Sequence, residues 1–323
     1  FTFDAASLAG KTVVVYEDVT YNGKAVASHN DIKDEAQSIH FAAISTSATD
    51  SKTGIKNTCA AQDACIVDKV SYSNLFSGES YELRGVLYDV ATGNPLVVNG
   101  NKITASQRFT PRNTSGSVDV SYKFDASSLA GKTVVVFEEL YYKNTRIAAH
   151  QVLSDAEQQV SIPGIATIAL DEATSSHHAS SVGSITITDT VYYQNLTEGQ
   201  TYRVEGRIVD RDSGEAVYSG GMPVVSTLEF VADSGHGSVP VSYQLDGEEV
   251  AGRELTIYED VYYDGELIAS HGGFDELAQI ISVESNNAMG DKLENAVLIG
   301  MGTFAISCAA GIAVVLKKRG VFN

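Results

Sequence analysis

Five polar residues of chemically useful types recur in this sequence at a single spacing. Thr46, Asp68, Glu138, His150 and Gln158 return as Thr167, Asp189, Glu259, His271 and Gln279, each 121 residues later. Glu17, His29 and Gln37 stand the same 121 residues before Glu138, His150 and Gln158. A hydroxyl, two carboxyls, an imidazole and a carboxamide are the parts needed to condense an alcohol with an amide. A hydroxyl is a weak nucleophile at its free pKa, so the attack requires a base and a polarised carbonyl. His150 is the candidate base. Asp68 and Glu138, buried together, would share one proton, because two close carboxylates resist double ionisation. The protonated member would donate to the amide oxygen, as an oxyanion stabiliser does. Loss of ammonia would leave a Thr–Gln ester between positions 112 residues apart. Each repeat would carry out this reaction once, on itself.

Such a reaction needs the first and last strands of a unit side by side, and the patterning agrees. Val118, Val120, Tyr122 and Phe124 alternate with polar residues, and Val239, Val241, Tyr243 and Leu245 do so one period later. Alternation of this kind marks strands with one buried face. Turn signals separate them: YNGK at 21–24, DVATGN at 89–94, NGNK at 99–102, DRDSGE at 210–215 and YDGE at 263–266. About 120 residues of short strands with regular turns predict an all-β chain of tandem immunoglobulin-like β-sandwich repeats. The expected divisions are a C-terminal part of an earlier repeat at 1–41 and complete repeats at 42–162 and 163–283. A juxtamembrane linker at 284–295, a transmembrane helix at 296–316 and a basic tail at 317–323 follow. Gln37 and Thr46, like Gln158 and Thr167, stand only 9 positions apart, which favours a stiff rod over flexibly linked beads.

The membrane segment rests on 21 uncharged residues from Ala296 to Leu316, followed at once by Lys317, Lys318 and Arg319. At about 1.5 Å per residue this run spans the roughly 30 Å hydrocarbon core, and the basic stop places the repeats outside the cell. Phe1 is not an initiator Met, and an export signal is expected upstream. A net charge of -19 and a pI near 4.6 argue against nucleic acid as a partner, since phosphate binding requires clustered Lys and Arg. Cys59 and Cys65 frame a short CAAQDAC loop that would close as a disulfide in an oxidising compartment, or would hold two thiols merely close in sequence.

Other motifs weigh less. DRDSGE opens like a calcium loop but lacks the trailing bidentate Glu, so a hairpin turn is the better reading. No CxxC-type metal spacing occurs, and the chemistry calls for neither metal nor cofactor. His177 and His178 are adjacent and are expected on a solvated loop. Asn113-Thr114-Ser115 and Asn195-Leu196-Thr197 match the glycan acceptor pattern, a match that chance often supplies.

The repeats resemble the VaFE-repeat surface proteins of Gram-positive bacteria, whose domains form intramolecular Thr–Gln ester bonds. The resemblance rests on TVVVYEDV at 12–19, TVVVFEEL at 133–140 and LTIYEDV at 255–261. SLAGKT precedes the first two, STSATD stands at 45–50, and VDKVSYSNL at 67–75 and TDTVYYQNLTEG at 188–199 fit as well. It implies that Thr46 and Thr167 form the esters with Gln158 and Gln279. Asp68 with Glu138 and Asp189 with Glu259 match the acid pairs, and His150 and His271 the imidazole. Glu17, His29 and Gln37 form a half-site without its Thr. The family's His-x-Asp occurs only as His29-Asn30-Asp31, since position 152 is Val and 273 is Gly. Thr49 neighbours Thr46 and Gln159 neighbours Gln158, and the phase of the second repeat selects Thr46 and Gln158. The proline-containing sortase motif of wall-anchored relatives is absent, the last proline being Pro240.

The resemblance implies the membrane-proximal stalk of a bacterial cell-surface adhesin or fimbria-like protein. The stalk would be a structural module and not an enzyme, with a host or matrix ligand held by upstream domains. Two other readings stand beside it. One is a receptor ectodomain binding ligands through its loops; the other is a Thr/His/Asp hydrolase, which would need an open cleft at Thr46 and lacks a G-x-S-x-G elbow.

Overall fold

A computed structural model describes residues 2–285. These are all β apart from four single-turn 3-10 helices. The proposed span at 296–316 lies outside them, and no helix among the described residues is long and apolar enough to cross a membrane.

Spatially the chain forms two compact units. Among the described residues the first comprises 2–51, 65–124 and 134–160; the second comprises 52–64, 125–133 and 161–285. In unit one a three-stranded sheet runs in the order Gly116–Phe124, Ala64–Ser73, Ala43–Asp50. The other sheet orders Thr104–Phe109, Tyr81–Asp89, Thr133–Tyr142 and Thr145–His150, with Gln159–Ser161 also paired to the third of these. Unit two repeats the plan. Gly164–Asp171, Ser184–Gln194 and His236–Asp246 make the smaller sheet. Glu254–Tyr263 is central to the larger one, flanked by Thr201–Asp210, Glu266–His271 and Ile280–Val283.

Period-two alternation explains where the core sits. Ile66, Val70, Leu83, Leu87, Val134, Val136 and Leu140 are fully buried in unit one, as are Ile187, Val204, Ile208, Leu255, Ile257 and Val261 in unit two. Each such side chain is worth about 1.5–3 kcal/mol when removed from water. The turns are as the sequence predicts: Asn22-Gly23, Asn99-Gly100 and Asp264-Gly265 all take the positive φ that tight hairpins demand. DRDSGE is likewise a turn, in which Asp210 Oδ1 accepts from Ser213 N at 2.9 Å.

Residues 2–41 contribute two short ladders to unit one, Thr12–Val14 with Ser38–His40 and Glu17–Tyr21 with Lys24–His29. The expectation for His177 and His178 needs correction. His178 belongs to a short strand paired in parallel with Ser282, and burial lowers the pKa of His177. The reason is topological: after the Thr167 strand the chain returns along the segment that follows Gln279, a contact that local sequence does not encode.

Candidate functional site: a closed carboxyl–carboxamide pocket

The Thr46 strand is buried at every second residue, at Thr46, Ala48 and Asp50, so Thr46 faces inward and Thr49 lies on the opposite face. Antiparallel pairing sets Thr46 against Val70 and Ala48 against Asp68. Thr46 and Asp68 therefore lie diagonally on one face. In unit two Thr167 pairs with Val191 and Ala169 with Asp189, the same geometry. The other sheet supplies the remaining groups. Glu138 stands directly across from His150, and Glu259 from His271. Each Gln closes a 3-10 turn, Ala156–Gln158 or Leu277–Gln279, and each turn packs on its unit's Thr strand.

The two sheets thus bring the groups together in a dry pocket. Asp68, Glu138 and Gln158 are 0% exposed, as are Asp189, Glu259 and Gln279; Thr46 and Thr167 are 8% and 3% exposed. Gln158 Nε2 donates to Asp68 Oδ1 at 3.2 Å, and Gln279 Nε2 to Asp189 Oδ1 at 3.3 Å. Gln158 Oε1 and Gln279 Oε1 are buried without a donor. The amide nitrogen, the group that leaves on condensation, therefore faces the aspartate. A half-turn of the carboxamide would instead let its oxygen accept from a protonated acid. Gln159 is turned away and donates to Leu153 O at 2.9 Å.

Electrostatics follow from burial. Desolvation, reinforced by the charge of Asp68, pushes Glu138 up to about 8. In unit two desolvation and a hydrogen bond that protonated Glu259 donates to Asp189 hold Glu259 far above the usual carboxylate range, and desolvation also raises Asp189. Asp189 Oδ2 and Glu259 Oε2 meet no N–H or hydroxyl donor. A bond between these two carboxyls therefore requires a proton on one of them.

The imidazole meets the hydroxyl in unit two and an acid in unit one. Thr167 Oγ1 lies 3.0 Å from His271 Nδ1, and burial lowers the His271 pKa, which keeps the ring a neutral base. In unit one His150 Nε2 lies 2.7 Å from Asp155 Oδ2, and Thr46 Oγ1 is buried with no hydrogen-bond partner. Asp155 Oδ1 also caps the Gln158 turn by accepting from Glu157 N at 3.0 Å. One carboxylate thereby fixes both the base and the acyl partner.

Sequence reasoning missed this acid. It lies five residues after each His, as Asp34, Asp155 and Glu276, and the change from Asp to Glu hides it from a search for identities. In the half-site, Glu17 pairs in register with His29. His29 Nε2 bonds Asp34 Oδ2 at 2.6 Å, whereas Asp31, the acid of the His-x-Asp motif, accepts from Lys33 N. Glu17 and His29 are exposed, and Gln37 is half-buried.

Cys59 and Cys65 are both half-buried. The surface grooves at Tyr81, Arg108 and Tyr142 and at their period-mates Tyr202, Glu229 and Tyr263 share no residue with the pocket.

The family model described as "T-Q ester bond containing domain" matches residues 1–41, 42–162 and 163–283. No curated protein matches the chain. Among solved structures, an adhesin from Mobiluncus mulieris with intramolecular disulfide, isopeptide and ester cross-links aligns at 15% identity. It covers 68% of this chain and 80% of its own, with a TM-score of 0.32. A putative beta-galactosidase from Bacteroides fragilis aligns at 10% identity over 66% of this chain and 33% of its own, TM-score 0.28. Red sea bream transglutaminase aligns at 12% over 77% and 32%, TM-score 0.24. Likenesses this distant carry no argument. The family match spans most of the sequence, and the chain belongs to the T-Q ester bond containing domains.

Proposed function

We propose that each complete repeat closes one ester between its Thr and its Gln, Thr46 with Gln158 and Thr167 with Gln279. The observation that carries this reading is the fully buried carboxamide on Asp68, and on Asp189, within a pocket that holds a raised-pKa Glu. His accepts the Thr proton, Oγ attacks Cδ, the Cδ–Nε2 bond breaks, and the nitrogen departs as ammonia. The proton gained by His returns through the acid pair, so the pocket ends as it began and the event happens once per repeat. The same burial speaks against a hydrolase, because an external substrate has no path to a nucleophile 8% exposed.

On this reading the chain is the stalk of a bacterial cell-surface adhesin, built of immunoglobulin-like repeats and held to the membrane by residues 296–316. Upstream domains would hold a host or matrix ligand. Tension along the chain would pass through each ester and bypass the strands between its ends. Single-molecule stretching of the chain tests this. The account expects no unfolding step from residues 46–158 or 167–279, and a new step of the corresponding length in Gln158→Ala. Equal unfolding in both chains would reject the stalk.

A further inference from the structure

The period that aligns the reactive groups also aligns Tyr122 with Tyr243 and Gly85 with Gly206, residues that the ester chemistry above leaves unused. Both tyrosines are fully buried, at 0% and 1% exposure. Each phenol donates to Oε1 of its pocket glutamate, Tyr122 to Glu138 and Tyr243 to Glu259, the latter at 3.1 Å. Gly85 and Gly206 lie directly across from these glutamates on the neighbouring strand. A Cβ at either position would collide with the phenol. Glycine in a strand interior costs about 0.5–1 kcal/mol relative to Ala. Close approach of another group is a recurrent reason for it, and here that group is the hydroxyl.

A buried phenol must give its proton to an acceptor, and the glutamate is the acceptor in both units. That bond makes Oε1 the accepting oxygen. When the glutamate is protonated, its proton then sits on the other oxygen, Oε2. Glu138 Oε2 and Glu259 Oε2 meet no N–H or hydroxyl donor, so Oε2 is the oxygen left to exchange a proton with the aspartate of the pair.

We infer that Tyr122 and Tyr243 are positioning residues for ester formation, each fixing the proton of its glutamate on Oε2, from which it passes through the paired aspartate to the departing nitrogen. The inference rests on the ester reading. The bookkeeping of the step is complete within the pocket. Thr Oγ–Cδ forms and Cδ–Nε2 breaks. The glutamate proton goes to ammonia, and the Thr proton, taken up by His, replaces it.

The test is Tyr122→Phe in the full chain, with the repeat at 163–283 as internal reference. Ammonia loss is followed in each repeat by peptide mass, from synthesis onward and across pH. We expect the altered repeat to close at least about tenfold more slowly, a modest share of the 10²–10⁴-fold that proton transfer contributes. We also expect its alkaline limit to move to higher pH, because the phenol's hydrogen bond holds the Glu138 pKa down. Closure at the unaltered rate, or slower closure with an unmoved pH limit, would overturn the positioning role and leave the ester reading intact. An unaltered chain that keeps both ammonias would instead sink the ester reading. Should Tyr122→Phe fail to fold, Tyr243→Phe makes the same test in unit two. Failure of both to fold would make the hydroxyl a structural group and overturn the inference.

Discussion

Glu138 and Glu259 sit in period-matched pockets, and burial raises both far above an ordinary 4.5, Glu138 to about 8. A carboxyl raised in the folded state favours folding fully below its unfolded pKa, and that contribution is lost as pH rises through the folded value. In Thr46→Val, which cannot form the first ester, unit one should therefore lose stability as pH rises from about 4.5 to about 8. In Thr167→Val unit two should likewise lose stability as pH rises above about 4.5, because its Glu259 pKa is also raised. Calorimetry across pH checks both; stability that rises with pH over these ranges would contradict the buried-proton account. At this scale the repeat made the five polar types legible in the sequence. It did not single out Tyr122, because a tyrosine in VSYKF reads as one more apolar strand position. Nor did it single out Gly85, whose role is to carry no side chain.

Hairpins and single 3-10 turns set the positions of these groups. The turn before Gln158 starts at Asp155, whose two oxygens hold His150 and Glu157 N. Asp155→Ala should cost about 1 kcal/mol as a lost cap and slow closure of the first ester, with the second unchanged. Thermal melts and peptide mass read the two effects separately. Gly85→Ala should cost about 1–3 kcal/mol or more from overpacking against Tyr122. The strands and turns were legible because alternation and Asn-Gly or Asp-Gly pairs are local signals. SLAGKT was visible only as a repeated string; its reason is the left-handed Gly10 and Gly131, whose amides bond Phe41 O and Ile162 O at 2.9 and 2.8 Å.

Across the molecule the units are not cut where the repeats are. Within unit two, Asn57 is 1% exposed and donates to Asn195 O at 2.6 Å. It accepts from Thr197 Oγ1 at 2.6 Å and Tyr202 Oη at 3.2 Å. Asn195 in turn donates to Lys132 O at 3.2 Å, and its period-mate Asn74 donates to Lys11 O at 2.8 Å in unit one. Asn57→Ala should strand these partners and lower the stability of unit two by about 1–3 kcal/mol, measurable by denaturant unfolding. No periodicity announces this, because residues 52–64 are grouped by contact and not by position in the repeat. An ester closing a loop of 112 residues would add about 4–5 kcal/mol to each unit if the loop-entropy model for disulfides transfers. The most direct measurement is the intact mass of the chain. The account predicts a value two ammonias below that of the sequence, with one restored in Gln158→Ala and one in Gln279→Ala beyond the change of residue. A mass equal to that of the unmodified sequence would contradict it.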